Sequence, residues 1–440
     1  MLQRSKLRKI VITVLDGIGD TSIEELHGKT PLEVANTPNL DFLSRNGLNG
    51  MIYPVKKGFV PETDTGMLSL WGYDVEKYYI RRAPIEWYGF ERTFNNGDLA
   101  FRVNFATLYS DNSIDRDIGK QISQSEAKSL VEAINSELKL TSMPVNFKLR
   151  DTTTYQAAAL LLVKKLSENL SDRISNTDPW YPLDSHTSIP RSPQQQCFYQ
   201  ECKPLDSSLE AERSAILVNE FVTKSHYILQ NHKINKIRAR KGQQMANLFL
   251  TRHAGNKIPK LPSLKRRFGL NFGYITALPL ERGLGLLTGI KTINMRNSGT
   301  FSLDPGNLSL EYQYLAEDIV KYIKVFDVLF AHVKGPDKAA HHGDFVEKKS
   351  VIELIDKFLF GNLLASLDLE NTICCITADH ATPCKLKLHS DDRVPIVITG
   401  ENANPDKVEF FNESSCARGT LALRNGIEVL PFLISLARGC

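Results

Sequence analysis

The sequence predicts an α/β fold built around a buried, largely parallel sheet. Three short apolar runs that lead into acidic residues or histidine predict strands at residues 9–15 (KIVITVL), 327–333 (DVLFAHV) and 372–377 (TICCIT). The middle of the chain differs, because residues 175–204 are rich in Ser, Pro, Asp and Gln and indicate a long loop. We therefore expect the two ends of the chain to share one core, with an inserted cap between them.

The other elements are assigned from periodicity and from end signals. Residues 37–46 predict a helix, because Thr37 suits the N-cap and Pro38 the first helical position. Further helices are predicted at 123–138, 211–230, 281–289 and 346–364, and further strands at 247–251, 270–277 and 393–399. The expected division of the chain is a core of residues 1–89 and 236–440 with a cap of residues 90–235.

Charge and hydropathy restrict the classes of partner. The 440 residues carry 54 basic and 50 acidic side chains, a balance that argues against a nucleic-acid or anionic-membrane surface but permits a small phosphorylated metabolite. No apolar run reaches the roughly 18 residues that a membrane span needs. The seven cysteines are irregularly spaced, which is typical of reduced thiols in a cytoplasmic protein. Nothing in the sequence indicates an oligomeric state.

Metal-type residues follow each of the three predicted strands. Asp16 follows the first, Asp337 comes shortly after the second, and Asp379 with His380 follows the third. Ligands in open α/β sheets gather beyond the carboxyl ends of strands, so these residues are expected to lie together. His341 is four residues after Asp337, a spacing that places both side chains on one face of a helical turn.

His389 adds a further nitrogen ligand nine residues beyond His380. Mixed nitrogen and oxygen ligands suit zinc, manganese or iron better than calcium or magnesium. The segment PETDTGMLSLWGYD at residues 61–74 then provides Thr63 and Thr65, whose hydroxyls look exposed ahead of a helix. A helix N-terminus binds anions, and a metal-bound hydroxyl loses its proton readily and becomes a nucleophile. Together these features predict metal-dependent phosphoryl transfer.

Each of these residues also has an ordinary structural explanation. Asp16 could close a plain turn, Thr63 could be only a helix cap, and the pair His341–His342 could lie on a polar surface. The pair Arg81–Arg82 could likewise be solvated. The metal site is favoured because the candidates recur at one place in the predicted architecture.

The chain resembles the archaeal-type cofactor-independent (2,3-bisphosphoglycerate-independent) phosphoglycerate mutases of the alkaline phosphatase superfamily over nearly its whole length. The similarity is carried by VLDGIGD (14–20), TPLEVANTPNLDFLSRNG (30–47), PETDTGMLSLWGYD (61–74), AFRVNFATL (100–108), HVKGPDKAAHHGDFVEKK (332–349) and TADHATPCKLKLHSDDRVP (377–395). The resemblance implies an alkaline-phosphatase-like three-layer α/β/α core with an inserted α+β cap. It also implies two divalent metal ions, Mn²⁺ or Zn²⁺, and interconversion of 2- and 3-phosphoglycerate in glycolysis.

The resemblance assigns roles to matching positions. One metal ion would be held by Asp337, His341 and His389, and the second by Asp16, Asp379 and His380 together with Thr63. Thr63 stands where these mutases usually have a serine nucleophile. Substrate would be bound by Arg82, Arg102 and Lys334, and Asp115 with Arg116 would supply an acid/base and a substrate arginine.

The chain departs from the family pattern at several positions that are expected to bind the substrate or to relay the phosphoryl group. The family segment DRRAGR reads DRDIGK here, which introduces Asp117 and Lys120, and a His-Arg pair becomes Tyr155–Gln156. Where the family has a histidine soon after the nucleophile, this chain has Met67. Three hypotheses follow: a phosphotransferase acting through a phospho-threonine on phosphoglycerate or another substrate, a phosphohydrolase, or a non-catalytic binding protein of the same fold.

Overall fold

The computed structural model describes residues 7–78, 81–151, 157–164, 169–181, 197–258, 260–296 and 303–439. The strands are β1 (Lys9–Leu15), β2 (Gly47–Ile52), β3 (Leu99–Leu108), β4 (Ser113–Asp115), β5 (Asn146–Asp151), β6 (Ala157–Val163), β7 (Cys197–Phe198), β8 (Leu248–Gly255), β9 (Phe272–Thr276), β10 (Lys291–Asn294), β11 (Val328–Val333), β12 (Thr372–Thr377) and β13 (Val394–Thr399).

The helices are α1 (Pro31–Val34), α2 (Pro38–Arg45), α3 (Thr63–Leu70), α4 (Val75–Tyr78), α5 (Arg82–Glu91), α6 (Ile118–Gln121), α7 (Gln124–Glu137), α8 (Leu209–Asn231), α9 (Lys233–Arg240), α10 (Leu264–Phe268), α11 (Pro279–Thr288), α12 (Pro305–Tyr322), α13 (Pro336–His342), α14 (Phe345–Leu354), α15 (Gly361–Leu364), α16 (Glu413–Cys416) and α17 (Val429–Arg438). A π-helical segment at Ile355–Phe360 joins α14 to α15 without a break. No helix in the described ranges is long and apolar enough to cross a membrane.

The chain divides into two compact units. One contains residues 1–79, 261–277 and 284–440, and the other contains residues 80–260 and 278–283. These limits differ from those predicted from the sequence, because α5 and β8 group with the inserted unit rather than with the core. The predicted division into a core of residues 1–89 and 236–440 and a cap of residues 90–235 stays a prediction.

The first unit contains a seven-stranded sheet in the order β10-β9-β11-β1-β12-β13-β2. All neighbouring strands up to β12 are parallel, and β13 runs antiparallel to both of its neighbours. β1 lies between β11 and β12, and six of its seven residues are buried. A strand covered on both faces needs a continuous apolar run, which is why KIVITVL lacks polar alternation.

The register of the three central strands brings their ends to one edge. Leu15 is paired with Val333, and Val14 is paired with Thr377, so the residues that follow each strand emerge side by side. This edge is the carboxyl edge of the parallel strands, where open α/β sheets bind ligands. The predicted α/β core is confirmed, with strands at residues 9–15 and 372–377 as predicted and the third strand at 328–333, one residue shorter than predicted.

The second unit contains an antiparallel sheet in which β3 lies between β6 and β8. Its core includes a cluster of aromatic rings. The ring centroids of Phe105 and Phe249 are 4.8 Å apart, and those of Phe221 and Phe249, which stack on each other, are 6.0 Å apart. The predicted helices at 123–138 and 211–230 are confirmed as α7 and α8. Of the predicted loop at 175–204, residues 182–196 lie outside the described ranges, and residues 197–198 form the short strand β7.

The start of α2 differs from its prediction in one respect. Thr37 occupies the N-cap position, but its side chain accepts no capping hydrogen bond from the described residues. The carboxylate of Asp356, from the π-helical segment, instead accepts the backbone N–H groups of Asn39 and Leu40 at 3.1 and 2.8 Å. A distant carboxylate thus takes over the capping role that the local sequence assigned to a threonine.

Candidate metal centre and active site

Charged side chains meet at the carboxyl edge of the parallel sheet. Asp16 follows β1, and its Oδ2 accepts a hydrogen bond from Lys334 Nζ, which follows β11, at 2.9 Å. His380, after β12, places Nε2 3.2 Å from the other carboxylate oxygen of Asp16. The strand register therefore brings residues from three distant parts of the sequence to one point.

One group of ligand-type atoms surrounds Asp337. His341 Nε2 lies 3.3 Å and His389 Nε2 3.4 Å from Asp337 Oδ1. Asp337 and His341 are both on α13, one helical turn apart, as the spacing predicted. These three residues form one of the groups whose ligand atoms all lie within 4.8 Å of one another.

A second group surrounds Asp16 and Asp379. His380 Nε2 is 3.4 Å from Asp379 Oδ2, and His332 Nε2 is 3.3 Å from the same oxygen. His332 was not among the residues proposed from the sequence. It lies on β11, two residues before Lys334, which directly follows that strand. A histidine two positions before a predicted site residue at a strand end is the signal that could have identified it.

Hydrogen bonds from the imidazole rings to backbone carbonyls fix which nitrogen faces the carboxylates. His341 Nδ1 lies 2.8 Å from the carbonyl oxygen of Lys387, and His389 Nδ1 lies 3.0 Å from that of Pro61. A carbonyl oxygen only accepts, so Nδ1 carries the proton and Nε2 of the neutral ring is available to a cation. Metal-bound histidines are held in this way by outer partners.

The electrostatics of the group also suit a divalent cation. Although burial raises the pKa of Asp337, His341 and His389 hold that pKa well below its ordinary value. Burial lowers the pKa of His341, but Asp337 raises it to about 9. Asp379 Oδ1 is buried and accepts no hydrogen bond within the described part of the chain, which is costly for a carboxylate without a cation. The residues present therefore fit divalent metal ions.

Thr63 is the first residue of α3, and the helix is capped without its hydroxyl. Glu62 and Thr65 form the capping box, in which the Thr65 hydroxyl accepts the Glu62 N–H at 2.9 Å. The impression that Thr63 and Thr65 are exposed is wrong, since they are only 8% and 3% exposed. Their burial follows from close packing of α3 against the site.

Two contacts connect this segment to the ligand groups. The carbonyl of Pro61 accepts from His389, as described above. A Cβ atom placed on Gly66 would lie 2.1 Å from the carbonyl oxygen of Asp379, so only glycine permits the observed approach. Residues 61–66, which include Thr63, therefore contact His389 of the first ligand group and Asp379 of the second.

The predicted substrate arginines belong to the second unit and form part of a charged cluster there. The arginine cluster consists of Arg82, Arg102, Arg116 and Arg252 with the carboxylates of Glu86 and Asp178. Arg102 and Arg252 are register neighbours on β3 and β8. Arg252 and Asp178 were not identified from the sequence. Arg252 reaches Arg102 only through the pairing of β3 with β8, and Asp178 contacts Arg116 and Arg252 only in the folded chain.

Among the described residues of the arginine cluster, four guanidinium groups face two carboxylates, so positive charge is in excess there. The arginine–carboxylate contacts are long, at 3.8 Å for Arg102 with Glu86 and 3.6 Å for Arg116 with Asp178. Burial and the neighbouring Arg82 lower the pKa of Arg102 to about 10. Tyr181 lies under Arg252, with 4.0 Å between the guanidinium carbon and the ring centroid. Guanidinium groups that repel one another, as Arg82 and Arg102 do, are suited to an anionic ligand.

The other residues singled out from the sequence are Asp115, Met67 and the positions at which the chain departs from the family pattern. Asp115 accepts the backbone N–H of Asp117 at 2.7 Å and the side-chain amide of Gln244 at 2.6 Å. Met67 is fully buried. Tyr155 and Gln156 lie outside the described residues, as does the side chain of Lys120.

Comparisons with known proteins identify the family. Residues 8–435 match the Metalloenzyme superfamily. The 2,3-bisphosphoglycerate-independent phosphoglycerate mutase 1 of Archaeoglobus fulgidus is 35% identical over 433 residues, which cover 97% of each chain. The chain belongs to the 2,3-bisphosphoglycerate-independent phosphoglycerate mutase family. A mutase of the same family from Thermococcus kodakarensis is 34% identical, with 98% of each chain covered.

Solved structures agree with this membership. A Pyrococcus horikoshii protein has a TM-score of 0.76 and 27% identity, with 98% of each chain covered. The cofactor-independent phosphoglycerate mutase of Thermoplasma acidophilum has a TM-score of 0.61 and 28% identity, covering 98% of this chain and all of its own. The predicted family and α/β fold class are confirmed, and the chain is a metal-dependent phosphotransferase of the isomerase type.

Proposed function

We propose that this chain interconverts 2- and 3-phosphoglycerate with two bound divalent ions, Mn²⁺ or Zn²⁺, through a phospho-threonine at Thr63. The observation that carries the proposal is that the two ligand groups and residues 61–66, which include Thr63, lie together at one edge of the sheet. Asp337, His341 and His389 would hold one ion. Asp16, Asp379 and His380 would hold the other, together with the Thr63 hydroxyl.

The bound ions would supply Lewis acidity and lower the pKa of the Thr63 hydroxyl. Thr63 Oγ, once deprotonated, forms a bond to phosphorus as the bond from phosphorus to the substrate oxygen breaks, and that oxygen takes up a proton. In the second step the other hydroxyl of the substrate gives up its proton and attacks phosphorus as the bond to Thr63 Oγ breaks. Lys334 is buried beside Asp16, where its positive charge can stabilise the phosphoryl oxygens. The N-terminus of α3 adds partial positive charge at the same point.

Arg82, Arg102 and Arg116 would bind the carboxylate and phosphate of the substrate. The excess of positive charge in the arginine cluster supports this role. Asp115 with Arg116 would handle the proton of the acceptor hydroxyl, a task that requires Asp115 to release Gln244.

The hydrogen bonds that Asp115 accepts favour a second candidate function. If Asp115 stays bound to Gln244 and to the Asp117 backbone, it is not available to activate an acceptor alcohol. Water would then accept the phosphoryl group, and the chain would be a phosphomonoesterase with the same nucleophile.

We also propose that the protein acts in the cytoplasm, in glycolysis. None of the six described cysteines is in a disulfide, and the balanced charge of the chain offers no support for a nucleic-acid or membrane partner. The small phosphorylated metabolite is the expected partner.

The proposal is tested by turnover of 3-phosphoglycerate and p-nitrophenyl phosphate with added Mn²⁺, for wild type, Thr63→Ala and Thr63→Ser. Removal of a covalent nucleophile is expected to reduce kcat by roughly 10³-fold or more, while serine retains activity. Thr37→Ala is the matched control, because Thr37 is likewise a buried threonine at the start of a helix, and its side chain accepts no capping hydrogen bond.

Loss of both activities in Thr63→Ala, with the control unchanged, supports the phospho-threonine route. Hydrolysis of p-nitrophenyl phosphate without mutase activity supports the second candidate. Full mutase activity in Thr63→Ala contradicts the proposed nucleophile.

A further inference from the structure

A single hydroxyl bridges the two groups of metal-type residues. Thr382 Oγ1 lies 2.7 Å from Asp337 Oδ1, which belongs to the first group, and 3.0 Å from His380 Nδ1, which belongs to the second. Thr382 is fully buried. It has no ligand role in the function proposed above.

The two distances determine where the protons lie. A hydroxyl oxygen at 2.7 Å from a carboxylate oxygen requires a proton between them, so Thr382 donates to Asp337. Its oxygen then accepts from His380, whose Nδ1 must carry a hydrogen. The Nε2 atom of the neutral His380 ring is therefore unprotonated, and it points at Asp16 and Asp379.

The backbone of Thr382 is fixed on both sides. Its N–H donates to the carbonyl of Gly19 at 3.0 Å, and its carbonyl accepts from the buried Lys348 Nζ at 2.9 Å. Lys348 Nζ also donates to Asp20 Oδ2 at 2.9 Å. The segment Gly19–Asp20, the helix α14 and the loop after β12 are thereby joined at Thr382.

Close packing leaves the hydroxyl little room. A Cβ atom on Gly17 would lie 2.6 Å from Thr382 Oγ1 and 2.8 Å from Asp337 Cβ. Gly17 has a φ of +60°, a conformation that other residues rarely adopt. The loop after Asp16 thus presses against the Thr382–Asp337 pair and limits the movement of both side chains.

We propose that Thr382 is a positioning residue that connects the two metal sites. It orients Asp337 toward one ion and holds His380 in the tautomer that presents Nε2 to the other. The inference rests on the proposed function, since it concerns the same two ions. It goes further by predicting that loss of one hydroxyl weakens both sites together, although no ligand is removed.

The test is titration of the metal-free protein with Mn²⁺ by calorimetry, and with Co²⁺ by visible absorption, for wild type, Thr382→Val and Thr382→Ser. We expect Thr382→Val to bind both ions about 10–100-fold more weakly, the range found when outer partners of ligands are removed. Thr382→Ser keeps the hydroxyl and should stay close to wild type. Thr399→Val is the matched control, because the buried Thr399 hydroxyl donates to the Leu43 carbonyl.

Thermal unfolding of the metal-free proteins shows whether each variant folds. If Thr382→Val does not fold, the same comparison is made between Thr382→Ser and Thr382→Ala, which differ at this position by the hydroxyl alone. Wild-type affinity at either site in a folded variant without the hydroxyl overturns the inference while the proposed function stands. A wild type that binds neither ion overturns both.

Discussion

Substitution of Gly66 by alanine tests whether the approach of α3 to the Asp379 backbone sets the active-site geometry. The new Cβ atom would lie 2.1 Å from the Asp379 carbonyl oxygen, about 1.3 Å short of an ordinary contact at 3.4 Å. Both partners belong to regular or buried backbone, so neither can give way cheaply. The helix that begins with Thr63 must therefore move by roughly 1 Å relative to Asp379.

Two effects of Gly66→Ala can be separated. Overpacking of a buried contact is expected to lower the free energy of unfolding by about 1–3 kcal/mol. A displacement of about 1 Å between a nucleophile and the rest of its site is expected to reduce kcat by about 10²-fold. The measurements are urea unfolding of the metal-free protein and Mn²⁺-supported turnover of 3-phosphoglycerate.

Gly361→Ala is the control for this experiment. Gly361 is also helical, but a Cβ atom there would meet its nearest neighbour at 3.5 Å. Alanine should be neutral or stabilise the protein by up to about 1 kcal/mol through helix propensity, with activity unchanged. Wild-type stability and turnover in Gly66→Ala would refute the reasoning, since they would show that α3 does not depend on this approach.

Two further predictions concern buried charges in the first unit. Lys348→Met leaves Asp20 without its buried cation. We therefore expect urea unfolding to show a loss of about 3–5 kcal/mol in the free energy of unfolding. A loss below about 1 kcal/mol would contradict this prediction. For His332, burial and Lys334 lower the pKa, but Asp379 and Asp16 raise it to about 9 in the metal-free protein. A raised folded-state pKa adds stability that is present below the ordinary value of 6.5 and is lost as pH rises through 9. Urea unfolding at pH 6.5, 8 and 9.5 should show this decline in wild type and a weaker one in His332→Gln, and equal declines would exclude His332 as the source.

Local patterns in the sequence predicted the elements that position the site. Continuous β-branched runs identified β1, β11 and β12, because a strand buried on both faces has no polar alternation. The spacing of Asp337 and His341 predicted a shared helical face, and the two side chains do meet on α13. Strand ends, helical spacing and the resemblance were together sufficient to propose the ligand groups.

Contacts between distant segments decided the rest. His332 joins the second ligand group and Arg252 joins the arginine cluster only through the pairing of separate strands. Asp356 caps α2 from a position more than 300 residues away, and so replaces Thr37 in a role that the local sequence assigned to it. Whether a polar side chain is a ligand, a cap or a bridge depends on the partners that surround it.

By itself, the sequence determined the three central strands of the core, the α/β class of that core and the family. These follow from short-range periodicity and from motifs that are contiguous in the chain. Only the tertiary structure decided that Thr382 bridges Asp337 and His380, that glycine is required at position 66, and that Asp115 is held by Gln244. Hydrogen bonds and close contacts depend on distances of a few tenths of an ångström between segments, and no local pattern in the sequence specifies those distances.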